Sequence, residues 1–209
     1  MDGGPSTSTG SAAGKPRLVI STLTLENFKS YAGVITIGPF NKSMSCVVGP
    51  NGSGKSNVID ALLFVFGFKA KSMRQDNALG LIHKSSAHGE IDHARVSVQF
   101  QLIVDLPDGG VDVVERSQIV VTRKIRREYT TDSKTGKEVE RADLSYALAT
   151  HNAKGDWKEK GASHKEVREL LLGHGVDLEH NRFCILQGEV EKISLMKAKG
   201  ETELKANKE

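Results

Sequence analysis

Cysteine is scarce in this sequence. Its 209 residues include only two, Cys46 and Cys184, which are far apart and lie in apolar runs. Such a pair provides neither a disulfide framework nor a zinc-ligand spacing, so we expect both to be reduced core residues. Three histidines, His83, His88 and His93, lie close together, but their spacing matches no zinc motif. The sequence predicts no structural metal site.

Long hydrophobic runs are also missing. No apolar stretch approaches the roughly 20 residues that span a bilayer, and the N-terminus lacks a basic segment followed by a hydrophobic one. We therefore expect an intracellular protein that is not inserted in a membrane. Neither sign of charge dominates, since Lys and Arg total 29 against 26 for Asp and Glu, a net charge of +3. This balance allows a nucleic-acid partner without requiring one.

The first 16 residues are small and polar and show no hydrophobic periodicity, which predicts a disordered tail. From Arg17 onward the composition changes to short β-rich runs. The last of them, residues 44–48, is continuously apolar, and such a run is typical of a strand buried on both faces.

A glycine-rich loop, GPNGSGKS at residues 49–56, follows this predicted strand and fits the phosphate-loop pattern G-x-x-x-x-G-K-[ST]. Its glycines let successive backbone N–H groups point at phosphates, and a helix that starts there adds the positive end of its dipole. In this pattern Lys55 reaches the β- and γ-phosphates, and the Ser56 hydroxyl binds Mg²⁺.

The stretch after the loop has helical spacing. Gly67 lies where that helix is expected to end. Apolar residues recur every three or four positions and predict one buried face: Val58, Ala61, Leu62, Val65 and Phe66.

Residues 90–160 predict an antiparallel sheet with hairpin turns. Its first strand alternates apolar and polar residues, with one apolar face made of Val96, Val98, Phe100, Leu102 and Val104. The basic cluster at residues 123–127 is interpreted first as a solvated strand, with a DNA contact and a nuclear-import signal as alternatives. Ser163 and Glu166 have the spacing of a capping box at the start of another helix.

Hydrolysis of a nucleotide needs an acidic metal ligand and a group that orients water. Asp105, after three apolar residues, is one candidate ligand. The alternation of the preceding strand argues against it, because a metal-binding strand beside a phosphate loop is buried on both faces. The turn at residues 107–110 offers a simpler explanation, in which Asp105 ends a hairpin strand.

Four separated motifs carry a resemblance: LENFKSY, GPNGSGKSNVIDAL, MRQDNALGLIH and FCILQGEVEKI. In this order they resemble the N-terminal half of the ATPase head of SMC (structural maintenance of chromosomes) proteins, and the chain looks most like a condensin subunit that pairs with the other condensin SMC protein. Asn57 followed by VIDA is similar to SMC and RecF-type DNA ATPases rather than to ABC transporter subunits. The resemblance runs from Leu18 to about Gly200.

The resemblance implies an α/β fold, the N-terminal lobe of an ABC-type P-loop ATPase head. Such a lobe combines a core of strand, phosphate loop and helix with an antiparallel β-subdomain, and it is incomplete without the C-terminal half. The implied boundaries are 1–16 for the tail, 17–190 for the lobe and 191–209 for the helical start of a coiled-coil arm. We found neither the Leu-Ser-Gly-Gly signature nor an apolar strand ending in Asp-Glu, and in this family the C-terminal half brings both.

Carried over to this sequence, the family's motifs imply roles for individual residues. Gln187 is the glutamine-loop residue that contacts Mg²⁺ and the attacking water, so Lys55 and Gln187 are the implied catalytic residues and Ser56 and Gln187 the implied metal ligands. Arg74 matches an arginine linked to DNA-responsive hydrolysis. The implied ATP-binding residues are Lys29, Ser30, Gly49, Pro50, Asn51, Gly52, Ser53, Gly54, Lys55, Ser56 and Asn57.

The implied function is chromosome condensation in mitosis, driven by ATP with Mg²⁺ as cofactors. The implied partners are the C-terminal half of the same head, the second condensin SMC subunit, a kleisin subunit and DNA, but no membrane. The implied location is the nucleus and chromosomes, with a cytoplasmic pool. Three alternatives stay open: a self-contained small NTPase or kinase that uses Asp105, a RecF-like DNA-repair ATPase, and an interaction module without turnover.

Overall fold

The computed structural model describes residues 14–85, 89–131, 136–152 and 154–177. The chain divides into two units, residues 1–175 and 176–209, and the elements that follow belong to the first. The strands are β1 (Arg17–Phe28), β2 (Tyr31–Ile37), β3 (His93–Asp105), β4 (Val111–Val113), β5 (Ile119–Thr131), β6 (Glu138–His151) and β7 (Trp157–Ala162). The α-helices are α1 (Lys55–Val65) and α2 (His164–Gly173), and two 3₁₀ turns cover Ala70–Met73 and Ala78–Leu81.

All seven strands form one antiparallel sheet in the order β2-β1-β3-β5-β6-β7, with β4 paired to β3. This confirms the antiparallel sheet predicted for residues 90–160 and adds β1 and β2 to it. In β3 the predicted alternation holds as far as Phe100. Leu102 and Val104 do not join the buried face, and Ile103 is fully buried instead. At this end β4 pairs with β3, and the β1–β3 register shifts by one residue, which changes the face that side chains occupy.

Helix α1 begins at Lys55 and ends at Val65, and the predicted terminating residue Gly67, with a φ of 90°, directly follows the C-cap residue Phe66. The N–H of Gly67 donates to the Phe64 carbonyl, and the N–H of Phe68 donates to the Leu63 carbonyl. These two bonds make a Schellman motif, in which a left-handed residue satisfies the last helical carbonyls. The predicted buried face is partly wrong, because Leu62 and Phe66 are half-exposed while Leu63 and Phe64 are buried. The Phe64 ring packs against Phe28 of the sheet.

Arg123 in β5 contradicts the interpretation of the basic cluster as a solvated strand. Its Nη1 donates to the Phe64 carbonyl at 2.7 Å, and its guanidinium lies over the rings of Phe64 and Tyr146. Burial lowers the pKa of this guanidinium. Alternation along β5 places Arg123 on the helix side of the sheet and Lys124 on the other, so the cluster is divided between two environments.

Helix α2 begins with the predicted capping box. The N–H of Glu166 donates to Ser163 Oγ at 3.2 Å, and the N–H of Ser163 donates to the Glu166 carboxylate at 2.7 Å. These backbone and side-chain bonds from Ser163 lower the pKa of Glu166. The N–H of the N-cap residue and one N–H of the first helical turn thus have the partners that the sequence pattern predicted.

Candidate nucleotide-binding site

The glycine loop at residues 49–56 leads directly into α1. Gly52 and Gly54 adopt φ values of 81° and 92°, in the left-handed region that side chains disfavour. A Cβ at Gly49 would lie 2.7 Å from Ser53 Oγ, and one at Gly54 would lie 3.1 Å from the Tyr31 hydroxyl. The loop is therefore a narrow cradle, and the left-handed backbone at Gly52 and Gly54 favours glycine there. This shape, with the start of a helix behind it, fits a phosphate group.

Lys55 and Ser56 occupy the first turn of α1, where backbone N–H groups have no intrahelical acceptor. The ammonium of Lys55 folds over the loop, and Nζ donates to the carbonyls of Gly49 and Pro50, each at 2.6 Å. Ser56 is exposed. One ammonium and one hydroxyl thus lie at the N-terminal end of α1, where the helix dipole is positive. These are the groups that a magnesium nucleotide needs.

The turn between β1 and β2 lies against the glycine loop. The Tyr31 hydroxyl donates to the Gly54 carbonyl at 3.2 Å, and Asn57 Nδ2 donates to Ser30 Oγ at 2.5 Å. The structure therefore brings together Ser30 and Asn57, which the sequence placed in two separate motifs. Tyr31 was not predicted as a site residue. Its position in NFKSY next to Lys29 and Ser30 was the available signal.

Asp60 is a second residue that the sequence analysis did not single out. It lies in the second turn of α1, and its side chain is only 6% exposed. Lys29 Nζ donates to Asp60 Oδ2 at 2.5 Å, and Arg74 Nη2 donates to the same oxygen at 2.7 Å. The available signal was a carboxylate within the apolar run VIDALL, because a buried charge requires a partner. The pair of cations joins three of the sequence motifs at one carboxylate, which we call the Asp60 cluster (Lys29, Asp60 and Arg74).

Arg74 follows the first 3₁₀ turn and adopts a left-handed conformation with a φ of 61°. Its side chain is 58% exposed although one nitrogen is bound to Asp60. Lys29 also donates to the Met73 carbonyl at 3.1 Å, so it fixes the backbone next to Arg74. The exposed remainder of the guanidinium faces solvent with most of its donors.

The strand predicted at residues 44–48 is wrong, and so is the burial of Cys46. The segment has no regular structure, Cys46 is exposed, and Met44 and Val48 are each 82% exposed. A strand needs neighbours that complete its hydrogen bonds, and none of the described strands pairs with this segment. The apolar character of these residues is real, but the partners that would cover them are not among the described elements.

Asp105 lies at the end of β3, where the turn to β4 begins. It binds Arg17 through two bonds of 2.7 and 2.9 Å, and its side chain is 54% exposed. The Arg17 hydrogen bond lowers the pKa of this carboxyl. An exposed ion pair at a hairpin end does not favour a self-contained NTPase that uses Asp105 as a metal ligand.

Several predicted features lie outside the described residues. They are Gln187, the arm at 191–209, Cys184, His88 and almost all of the tail. Within the described ranges of residues 14–177, no helix is long and apolar enough to cross a bilayer. Those ranges also contain no group of three His, Cys, Asp or Glu side chains placed to hold a metal ion.

A polar cavity of about 380 Å³ opens on the sheet, lined by Glu26, His93, Arg95, Lys124, Arg126 and Asp143 among others. His93 Nδ1 lies 2.7 Å from Asp92 Oδ1, and Nε2 lies 3.4 Å from Glu26 Oε1. Asp92 chiefly, and Glu26 to a lesser extent, raise the pKa of His93.

We expect Asp92→Asn to lower the pKa of His93, because the largest stabilisation of its charged form is lost. The raised pKa means that His93 contributes stability below its unfolded pKa, about 6.5, and that this contribution disappears as the pH rises through the folded value. Deuterium exchange at the imidazole C2 carbon, followed by mass spectrometry across pH, measures both proteins. His174, in the same spectra, serves as the control and should not respond to the substitution.

The family described as the RecF/RecN/SMC N terminal domain matches residues 19–156, more than half of the chain. The chain belongs to this family. The SMC resemblance stated from the motifs is thereby confirmed, and with it the fold class, since the phosphate loop, helix and antiparallel sheet all lie within the matched region apart from the end of the sheet.

Individual SMC proteins are similar over nearly the whole chain. Structural maintenance of chromosomes protein 4 from Mus musculus is 44% identical over 193 residues, which cover 92% of this chain and only 13% of that protein. One solved SMC ATPase structure, from work on ATP-driven dimerization and DNA-stimulated activation, has a TM-score of 0.60 and 28% identity to this chain. The match covers 88% of this chain and 95% of that one. A solved SmcHead bound to the C-winged helix domain of ScpA has a TM-score of 0.59 and 29% identity to this chain. The match covers 85% of this chain and 47% of that one.

Proposed function

We propose that this chain is the N-terminal lobe of the ATPase head of a condensin-type SMC protein, acting in the compaction of chromosomal DNA. The observation that carries the proposal is the glycine cradle at the start of α1, within a chain 44% identical to an SMC4 protein over 92% of its length. The chain spans about an eighth of that relative, so the activity belongs to a larger protein. The structure favours no second function.

In this proposal residues 49–57 hold the triphosphate of ATP, with Lys29 and Ser30 beside it. Lys55 turns from the loop carbonyls to the β- and γ-phosphates, where an ammonium neutralises charge that develops during phosphoryl transfer. Ser56 binds Mg²⁺ together with Gln187, whose amide also orients the attacking water. When bound there, Mg²⁺ would supply positive charge that offsets the charge of the phosphate groups.

The site is composite in this proposal. The C-terminal half of the same head supplies the acidic residues, and the second condensin SMC subunit supplies a signature motif across the nucleotide. A kleisin subunit closes the assembly, as supported by the related head that was solved with ScpA. Arg74 links turnover to DNA, and the complex acts on chromosomes in the nucleus, with a cytoplasmic pool. The exposed apolar residues at 44–48 support the proposal that another segment covers them in the assembled head.

Steady-state ATP turnover tests this proposal. The 209-residue chain is assayed alone and again with a matching C-terminal head segment and a partner head, and Lys55→Ala replaces the chain in each blank. We expect turnover only in the complete mixture, because two of the three sets of catalytic groups lie outside this chain. Lys55-dependent turnover by the chain alone would contradict the composite site. It would instead favour the self-contained NTPase that uses Asp105 as a metal ligand.

A further inference from the structure

We propose that Asp60 is a positioning residue that aims Arg74 and ties it to the phosphate-binding helix. This inference rests on the proposed function, because it concerns the DNA response of the same site. It starts from a buried carboxylate with a side chain 6% exposed, placed one and a half turns after Lys55 on α1. A carboxylate at such a position requires hydrogen-bonding or charged partners.

The two cations of the Asp60 cluster differ in their surroundings. The side chain of Lys29 is 11% exposed and that of Arg74 is 58% exposed, yet both donate to Oδ2 of Asp60. Lys29 is fixed by a further bond to the Met73 carbonyl, the residue before Arg74. Lys29 is therefore the buried counter-ion, and Arg74 is the member that remains open to a ligand.

The guanidinium of Arg74 can serve two partners at once. It carries five N–H donors in a rigid plane, and one nitrogen is directed at Asp60. This bond restricts the rotation of the guanidinium and directs its remaining donors outward, towards an incoming phosphate group. Asp60 thus sets the direction of Arg74 without contacting nucleotide or DNA itself.

The backbone supports the same conclusion. Arg74 adopts the left-handed region at a φ of 61°, which is unfavourable for a residue with a side chain and persists where the surroundings enforce it. The Gln75 N–H donates to the Ala70 carbonyl, so the turn around Arg74 is closed on both sides. The closed turn and the bond to Asp60 together connect Arg74 directly to α1.

The test uses the full-length protein in complex with its partner subunits, with ATP turnover measured with and without linear double-stranded DNA. We expect Asp60→Asn to reduce the DNA stimulation ratio by about fivefold or more, the range of typical coupling between sites. Asp60→Glu should restore part of the ratio. Asp76→Asn makes the same chemical change at an exposed residue of the same loop and should keep the full ratio.

Two further results separate positioning from a purely structural role. In an Arg74→Ala background, Asp60→Asn should cause no additional loss of stimulation, because the residue it positions is gone. Arg74→Lys should lose most of the stimulation, because an ammonium lacks the rigid planar fork whose outward donors Asp60 orients. Arg74→Lys leaves Asp60 intact, so full stimulation in that variant would overturn the inference even if Asp60→Asn fails to fold.

The outcomes are distinguishable. Unmutated complex without any DNA stimulation would overturn both the proposed function and this inference. Normal stimulation in folded Asp60→Asn, losses that multiply in the double variant, or full stimulation in Arg74→Lys would overturn the inference alone. Retained binding of a fluorescent ATP analogue identifies the variants that are folded.

Discussion

Lys55→Ala in the full-length protein should reduce ATP turnover by about 100-fold or more, the cost of removing one group that stabilises transferring charge. The structure supplies the reason. Nζ of Lys55 already lies at the mouth of the cradle, 2.6 Å from the Gly49 and Pro50 carbonyls. An alanine leaves the backbone N–H groups of the loop but removes the mobile positive charge. Steady-state turnover of the complex with its partner subunits measures the loss.

The matched control is Lys158→Ala, which removes the same charge from the exposed strand β7. Its turnover should equal that of the unmutated complex. A Lys55→Ala complex that is assembled and folded but retains more than a tenth of the turnover would contradict the assignment of Lys55.

Arg123→Met should loosen the end of α1 by about 2 kcal/mol, the scale of lost charge-assisted hydrogen bonds and cation–π contacts. Methionine keeps much of the volume but cannot donate to the Phe64 and Phe68 carbonyls. It also removes the cation–π contact of the guanidinium with the Tyr146 ring. We expect amide exchange in the last turn of α1 to become about 25-fold faster.

Hydrogen–deuterium exchange with mass spectrometry on the full-length protein provides the measurement, through peptides that contain residues 62–68. Arg126→Met changes an exposed arginine of the same strand and is the control. Equal exchange in the two variants would mean that Arg123 is no more than a solvated residue, as the charge pattern first suggested.

Local chemistry explains what the sequence predicted correctly. Gly67 ends α1 because a left-handed residue is required there, and Ser163 with Glu166 caps α2 through bonds within four residues. The glycine loop also needed only its own pattern. Each of these features depends on contacts that are short in sequence, so the residue types at fixed spacing are sufficient to find them.

The errors arose where distant segments decide the outcome. Residues 44–48 were predicted to form a buried strand, but burial of a strand depends on neighbouring strands, and no described strand pairs with this segment. Arg123 was predicted to be solvated. The sequence pattern of its own strand could not show otherwise, because the aromatic rings that contact it come from α1 and β6. Asp60 was overlooked for the same reason, since its partners Lys29 and Arg74 lie 31 and 14 residues away.

The anchoring of α1 also bears on the order in which this protein folds. The loop and its helix are synthesised early, but the bond from Arg123 to Phe64 spans 59 residues, and Tyr146 lies further on. Contacts of such long sequence separation form slowly, because the chain between them must be closed first. During synthesis the phosphate cradle therefore leaves the ribosome before the strands that hold the far end of its helix. Its final rigidity is acquired only once β5 and β6 have joined the sheet.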